Sequence, residues 1–183
     1  MIVITGNPGV GKHTVAKLLA KRLDSKLIDI NKVAIQKGVV EKNKETLDVD
    51  VKKLKKTLEK IITKNSIVVG HLAPYVVSRK QVKLAIVLRR NPYKLASVYK
   101  KRKYSYQKSI ENLGSEILGV IYHDSVNEFG SDRTLQLDTT GKSVGAIVKK
   151  IGELFVKNTF SGDNVDWLGL IYEKNDLKRF FPY

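Results

Sequence analysis

The chain has 183 residues, which suits one compact domain, and its 34 Lys and Arg outnumber its 18 Asp and Glu, giving a formal net charge of +16. This excess favours binding to polyanions such as nucleic acid, anionic lipid or phosphorylated ligands, with a solvated lysine-rich surface as the alternative. The absence of cysteine excludes disulfides and thiolate zinc sites, and no apolar run approaches the roughly 20 residues that span a bilayer, so we expect a cytoplasmic protein without membrane contact.

Predicted strands and helices alternate along the chain. Short apolar runs predict strands, and apolar residues at helical spacing predict helices. Segment 41–50 is polar and predicted to be a loop, whereas the apolar residues of 110–121 predict one long helix. In chain order, the other predicted elements are a strand at 2–4, a helix at 14–23, a strand at 26–30, helices at 33–39 and 51–62, strands at 66–69 and 82–88, a helix from 92, a strand at 135–137, and helices at 144–155 and 167–173.

This alternation predicts an α/β fold in three layers, with a five-stranded parallel sheet covered by helices on both faces. Ligands of such sheets bind beyond the carboxyl ends of the strands. The residues at those ends are 6–14, 29–31, 70–71 and 89–90. Candidate binding residues are therefore expected there.

The glycine-rich segment 6–12 lies between a predicted strand and a predicted helix. Gly9 and Gly11 allow the backbone N–H groups, including that of Val10, to wrap a phosphate chain without an obstructing Cβ. The helix that follows presents its positive end, and Lys12 can reach the β- and γ-phosphates. We therefore predict a loop that binds a nucleoside triphosphate; a glycine-rich turn with a chance lysine is the alternative.

The residue after Lys12 departs from the usual phosphate-loop pattern. His13 stands where a serine or threonine hydroxyl usually meets Mg²⁺, and Thr14 follows one place later. Thr14 would then face a phosphate, and Mg²⁺ would be held largely by water. His13 as a metal ligand is the minority interpretation. The three histidines are dispersed, so no protein-built metal site is predicted.

Five polar side chains, four of them near strand ends, are further candidates. Arg89 follows a strand, and Arg102 continues a buried helical stripe, so both are expected to stabilise a transferring phosphoryl group; surface ion pairs are the alternative. His71 could orient a water or a phosphate, or simply be hydrogen-bonded in the crevice. Asp29 and Asn31 could position an acceptor nucleotide, or Asn31 could merely cap a helix.

With these residues in place, 1–157 resembles the adenylate kinase isoenzyme 6 family, also called the coilin-interacting nuclear ATPase family, whose archaeal members are labelled putative adenylate kinases. The segment 6–14 is similar to the family's G-T-P-G-V-G-K-T-T. Common adenylate kinases also place the hydroxyl one residue late. The other matching segments are 87–90 with 101–104, 111–117, the adenine-side loop 138–143 that contains Gly141, and the archaeal-type tail residues 166–168.

The resemblance implies a P-loop kinase fold with a monophosphate-binding helical region at 31–64 and a short lid at 101–109. It implies phosphoryl transfer from ATP to AMP, slow ATP hydrolysis and use of Mg²⁺. It also implies a role in maturation of the small ribosomal subunit, with a platform ribosomal protein and ribosomal RNA as partners. A nucleotide-switched assembly factor with little kinase activity is the alternative.

Two positions depart from the family pattern. Val69 stands where an acidic residue usually precedes the histidine of the D-x-H segment, so the carboxylate that organises the waters of Mg²⁺ is missing there. Lys103 replaces the usual glycine of the lid. The segment 158–183 is expected to form a tail that packs on the domain, with partner binding as the alternative.

Overall fold

The computed structural model describes residues 1–42, 47–157 and 161–182. Its strands are β1 (Ile2–Thr5), β2 (Lys26–Asp29), β3 (Val40–Lys42), β4 (Leu47–Val49), β5 (Ser66–Val69), β6 (Leu84–Arg89) and β7 (Thr134–Asp138). Its α-helices are α1 (Lys12–Arg22), α2 (Ile30–Gln36), α3 (Val51–Ile61), α4 (Ala73–Val76), α5 (Pro92–Lys101), α6 (Tyr106–Ile117), α7 (Val120–Phe129), α8 (Val144–Lys157), α9 (Trp167–Glu173) and α10 (Leu177–Phe180), with a 3₁₀ turn at Arg79–Gln81.

Five of the strands form one parallel sheet in the order β2-β5-β1-β6-β7. All residues of β1, β5 and β6 are buried, as expected for central strands whose apolar runs are continuous rather than alternating. The predicted α/β fold with a five-stranded parallel sheet is therefore confirmed. Because β1 is the central strand, the glycine-rich loop that follows it lies between the ends of β5 and β6.

Helices cover both faces of the sheet, and each face has its own core. Ile4 of β1 packs with α1, α5, α6 and α8, whereas its neighbour Val3 packs with α2, α3 and α4 on the opposite face. The buried residues Leu54 and Leu58 fix α3 to that second face, as their helical spacing predicts. Successive side chains of one strand thus point into different cores.

Two sequence predictions of local structure are wrong. The predicted helix 110–121 is two helices, because Gly119 has a φ of +67° and ends the path of α6 before α7 begins. The described part of the predicted loop 41–50 contains β3 and β4, which pair antiparallel. Residues 43–46 lie outside the described residues. The apolar pattern continues across Gly119, so periodicity could not reveal the break.

The described part of the C-terminal segment, 161–182, packs on the domain. The N–H group of Asp163 donates to the carbonyl of Gln136 in β7 at 2.8 Å, along the edge of the sheet. Ile171 and Phe180 are buried in the core that also contains Ile4. Within the parts of the chain that the structure describes, no helix has both the length and the apolar character needed to cross a bilayer.

Candidate functional site

The glycine-rich loop after β1 forms the floor of the main cleft. Gly9 and Gly11 have φ angles of +89° and +96°, a backbone conformation that other L-residues rarely adopt. A Cβ on Gly9 would also lie 2.9 Å from the Leu95 side chain of α5. Gly11 immediately precedes α1. The local sequence therefore produces a curved loop that leads into the positive end of a helix, an arrangement suited to anions.

Lys12 brings a buried cation into this loop. Its side chain is only 5% exposed, and its Nζ donates to the carbonyl of Asn7 at 3.2 Å. The pKa of Lys12 is lowered to about 8, mainly by burial and also by the charge of Arg102, whereas Asp29 and Glu116 oppose the shift. At neutral pH the ammonium group remains charged in a setting where an anion would stabilise it.

His13 and Thr14 lie on the wall of the cleft. His13 Nε2 is 3.3 Å from Asp29 Oδ2, and burial lowers the pKa of His13, so near neutral pH the contact has the character of a hydrogen bond. Asp29 caps α2 by accepting from the backbone N–H groups of Asn31 and Lys32 at 3.0 and 3.3 Å. The helix cap is thus Asp29, and the alternative role of Asn31 as the cap is wrong.

Asn31 and His71 also line the cleft, just after the ends of β2 and β5. Burial lowers the pKa of His71 to about 4, and the charges of Lys12 and His13 lower it as well. His71 is therefore neutral near pH 7, with one ring nitrogen able to donate a hydrogen bond and the other able to accept one. The predicted residues Lys12, His13, Thr14, Asn31 and His71 come together here.

The turn between α5 and α6 forms the rim. Arg102 ends α5 and is exposed, so the expectation that its helical spacing would bury it is wrong; it nevertheless lines the cleft. Tyr104 stacks on Tyr99 with ring centroids 5.2 Å apart, and Lys108 Nζ lies 4.8 Å from the centre of the Tyr104 ring. Arg102, the exposed cation at this rim, can therefore approach a ligand in the cleft.

Five lining residues were not among the predicted site residues: Pro8, Tyr104, Lys108, Glu111 and Asn112. The last three are spaced i, i+3 and i+4 along α6, a pattern that places side chains on one helical face. That spacing was visible in the sequence, but only the packing of α6 against α5 shows which face borders the cleft. The cleft measures about 620 Å³, within the range of small-molecule sites.

Arg89 does not lie in this cleft. It is 4% exposed, and its Nε donates to Glu116 Oε1 at 2.9 Å while its Nη1 donates to Gln136 Oε1 at 2.6 Å. The expectation that Arg89 faces a transferring phosphoryl group is corrected by this geometry, because its guanidinium is already paired behind the loop. A strand-end position identified the neighbourhood of Arg89 but not the direction of its side chain.

Arg89 belongs to a set of residues that we name the Glu116 cluster: Asn7, Arg89, Arg90, Glu116 and Trp167. The fully buried Glu116 carboxylate accepts four N–H groups. They come from the Asn7 amide, the Arg89 guanidinium, the Arg90 backbone and the Trp167 indole. Four donors compensate for the burial of a carboxylate, so the cluster has the character of a structural support rather than of an open site.

Two further predicted cofactor-binding residues lie outside the lining of the cleft. Val10 is 1% exposed and packs in the core, so only its backbone is available to a ligand; its carbonyl accepts from the Thr139 hydroxyl at 3.2 Å. Gly141 is exposed, has a φ of +67°, and belongs to the same loop after β7. This loop therefore contacts the glycine-rich loop directly through Thr139.

The residues present fit a triphosphate better than a protein-ligated metal. The glycine loop and the buried Lys12 complement phosphate charge. Among the described residues, no group of three or more His, Cys, Asp or Glu is arranged to hold a metal ion. Oxygen donors near the loop include Thr14 and Asp29, and a Mg²⁺ ion carried by a nucleotide would be held mainly by phosphates and water.

Comparison with known proteins agrees with this geometry. The model of the family described as "AAA domain" matches residues 2–119. A protein of Thermococcus onnurineus described as "Putative adenylate kinase" is 33% identical over 169 residues, covering 91% of each chain.

Two solved structures show the same fold. The YorR protein of Bacillus subtilis, solved in complex with phosphorylated GDP, has a TM-score of 0.61 at 18% identity, covering 87% of this chain and 98% of its own. A gluconokinase of Sinorhizobium meliloti has a TM-score of 0.55 at 16% identity, covering 87% and 97%. At such identities the likeness concerns the fold, which is that of P-loop kinases.

Proposed function

Because this chain belongs to the AAA domain family, together with the archaeal proteins described as putative adenylate kinases, we propose that it transfers the γ-phosphoryl group of ATP to AMP, forming two ADP. The observation that carries the proposal is the cleft itself, in which the glycine-rich loop and buried Lys12 face Asn31 and His71. Water in place of AMP would give slow ATP hydrolysis.

The donor side is built for the phosphates of ATP. The backbone N–H groups of 9–14 and the positive end of α1 bind the phosphate chain, and Lys12 contacts the β- and γ-phosphates. Thr14, on the wall of the cleft, offers its hydroxyl to a phosphate. A Mg²⁺ ion bound with ATP would neutralise part of the phosphate charge. On the base side, the loop that contains Gly141 borders the glycine-rich loop.

The acceptor side requires neutral, directional groups. Asn31 offers an amide, and His71 is a neutral imidazole near pH 7 because its pKa is about 4. Together they can orient the phosphate of AMP toward the γ-phosphorus of ATP. Because neither group is charged, neither competes with Lys12 for the phosphates of ATP. Asp29 acts here through position, since it fixes the start of α2 and holds His13.

The rim contributes mobile positive charge. Phosphoryl transfer depends mainly on positioning and on neutralising the charge of the equatorial oxygens. Arg102 and Lys108 both line the cleft, and movement of the turn 101–109 over bound ATP would bring Arg102 to the transferring group. Arg89 has no part in this mechanism.

The proposal is tested by measuring ADP formed from ATP with AMP, with GMP, CMP or UMP, and with no acceptor. We expect AMP to raise ADP formation well above plain hydrolysis. Equal ADP formation with every acceptor and with none would contradict the kinase proposal and leave an ATPase. The same panel with Lys12→Ala separates this activity from a contaminating kinase.

The resemblance to the adenylate kinase isoenzyme 6 family supports a second candidate, a nucleotide-switched factor for small-subunit assembly. The observation that favours it is the net charge of +16, with lysines along the outer face of α3. Gel-shift assays with small-subunit ribosomal RNA and pull-down of platform proteins, each with and without ATP, test it. No binding in either state would exclude this candidate and leave the kinase proposal untouched.

A further inference from the structure

We infer that Trp167, in the C-terminal segment, is a positioning residue for Lys12 and thereby for ATP. The inference rests on the proposed function, since it requires the glycine-rich loop to bind ATP. The connection consists of three consecutive hydrogen bonds through Glu116 and Asn7. Glu116 and Asn7, which link the Trp167 indole to the Lys12 ammonium group, both lie outside the C-terminal segment.

The first bond joins the C-terminal segment to the Glu116 cluster. Trp167 Nε1 donates to Glu116 Oε1 at 3.1 Å. The carboxylate is fully buried, so its orientation is fixed by its donors rather than by water. The indole is one of three N–H groups on that oxygen, the others being Arg89 Nε at 2.9 Å and the Arg90 backbone at 3.0 Å.

The next two bonds reach the loop. Asn7 Nδ2 donates to the other oxygen, Glu116 Oε2, at 2.9 Å. The backbone carbonyl of the same Asn7 accepts from Lys12 Nζ at 3.2 Å. Asn7 is 4% exposed, so its amide has no water to replace Glu116. The direction of the carboxylate thus determines where the Asn7 carbonyl stands, and that carbonyl holds the ammonium group.

The C-terminal segment is anchored firmly enough to serve as a fixed point. Asp163 accepts from Lys142 at 3.1 Å and Lys150 at 2.5 Å, and its backbone N–H donates to Gln136. Gly162 lies so close to β7 that a Cβ would be 2.9 Å from the Gln136 carbonyl oxygen. Asp166 caps α9 by accepting from the Gly169 N–H at 2.8 Å. Trp167 therefore starts a helix whose position is set by the sheet.

This arrangement predicts a selective effect. Trp167→Phe keeps an aromatic ring but removes the N–H donor. We expect the KM for ATP to rise about threefold to tenfold, the effect of one partly transmitted hydrogen bond to a charged group. The KM for AMP should not change, because Asn31 and His71 are not connected to Glu116 by the hydrogen bonds of the described residues.

A matched control uses another hydrogen bond of the same segment. The Tyr93 hydroxyl donates to Asp176 at 2.7 Å, and among the described residues no hydrogen bond joins either of them to the Glu116 cluster. Tyr93→Phe therefore removes one bond of the segment without affecting the path to Lys12. Its KM for ATP should equal that of the unmodified protein, whatever its thermal midpoint.

A second readout needs no Trp167 variant. Trp167 is the only tryptophan of the sequence, so its indole N–H gives a single, already assigned signal in a ¹⁵N–¹H correlation spectrum. We expect saturating ATP to shift that signal, and we expect Asn7→Ala, which interrupts the path without touching Trp167, to remove the shift while ATP is still saturating.

The outcomes separate the two levels of the proposal. An indole signal that ATP leaves unmoved, or equal KM values for ATP in Trp167→Phe and Tyr93→Phe, would overturn the positioning role while ATP binding stands. If calorimetry detects no ATP binding by the unmodified protein, the proposed function fails and the positioning role fails with it.

Discussion

The cleft and the Glu116 cluster both include residues of the glycine-rich loop, but their cations differ in pairing and exposure. In the cluster, the Arg89 guanidinium donates to Glu116 and Gln136 and is 4% exposed. In the cleft, Lys12 and Arg102 form no ion pair with a carboxylate among the described residues, and Arg102 is exposed. Arg89 and Arg102 thus differ in environment, because the first is paired inside the fold and the second is exposed at the rim of the cleft.

The position of a cation after a strand therefore does not determine its role. A buried arginine whose three nitrogens each donate a hydrogen bond stabilises the fold, and its removal leaves the buried carboxylate without its ion-pair partner. A buried lysine whose main neighbour is a single carbonyl is different, because a ligand's phosphate would improve its surroundings. The following predictions separate the two regions by measuring stability and activity together.

The largest effect on activity is expected from Lys12→Ala. Removing a charge-stabilising group from the transition state typically costs about 10² to 10³ in kcat. The thermal midpoint should stay equal or rise, because burial already lowers the pKa of Lys12 and its charge is costly to bury. ADP formation and thermal unfolding measure both. A lower thermal midpoint with unchanged activity would contradict this prediction and indicate that Lys12 stabilises the fold, as the Glu116 cluster does.

Arg89→Met should give the opposite pattern. Breaking a buried ion pair by removing one partner costs about 3–5 kcal/mol of unfolding free energy. Denaturant unfolding measures that loss, and the activity per folded molecule, corrected for the folded fraction, should fall far less than in Lys12→Ala. An unchanged midpoint with lost activity would contradict the structural role and restore Arg89 as a catalytic candidate.

Arg102→Ala should reduce kcat by about tenfold to a hundredfold, a smaller effect than that of Lys12 because the rim is open to water, which weakens charge interactions. Its thermal midpoint should not change, since Arg102 is exposed. The neighbouring exposed Lys101 provides a matched control, and Lys101→Ala should leave kcat within about twofold of the original value. Equal losses in the two variants would indicate general surface charge.

The smallest effect is the pH dependence of ATP affinity. Because the pKa of Lys12 is about 8 in the free protein and bound phosphate would raise it, affinity should be constant below pH 8 and fall as pH rises beyond it. His71, with a pKa of about 4, should contribute nothing between pH 6 and 8. Calorimetric titrations from pH 6 to 9.5 measure this; an affinity that does not fall above pH 8 would contradict it.

Much of the fold could be predicted from the sequence. The apolar strands and the amphipathic α3 and α8 follow directly from periodicity, because the sheet buries continuous runs and the helices bury one face. The break at Gly119 could not be predicted, since Leu118 and Val120 continue the apolar pattern on both sides of it. The strands β3 and β4 have only three residues each, too few for apolar alternation to mark a strand.

The site was predictable where backbone geometry is local. Gly9, Gly11 and Lys12 depend on a strand, a turn and a helix that are consecutive in the chain. The direction of Arg89 depends instead on Glu116 and Gln136, which are 27 and 47 residues away. Trp167 reaches the same carboxylate from 51 residues away. Such long-range contacts leave no periodic signal in the sequence.

The central claim is that the backbone of the glycine-rich loop holds the phosphates of ATP. Hydrogen–deuterium exchange with and without saturating Mg²⁺-ATP measures this directly, peptide by peptide. We expect ATP to protect residues 6–14 from exchange more than any other segment, with little change over β7 and the segment 161–166. Unaltered exchange at 6–14 under conditions where ATP binds, with protection appearing elsewhere, would contradict it.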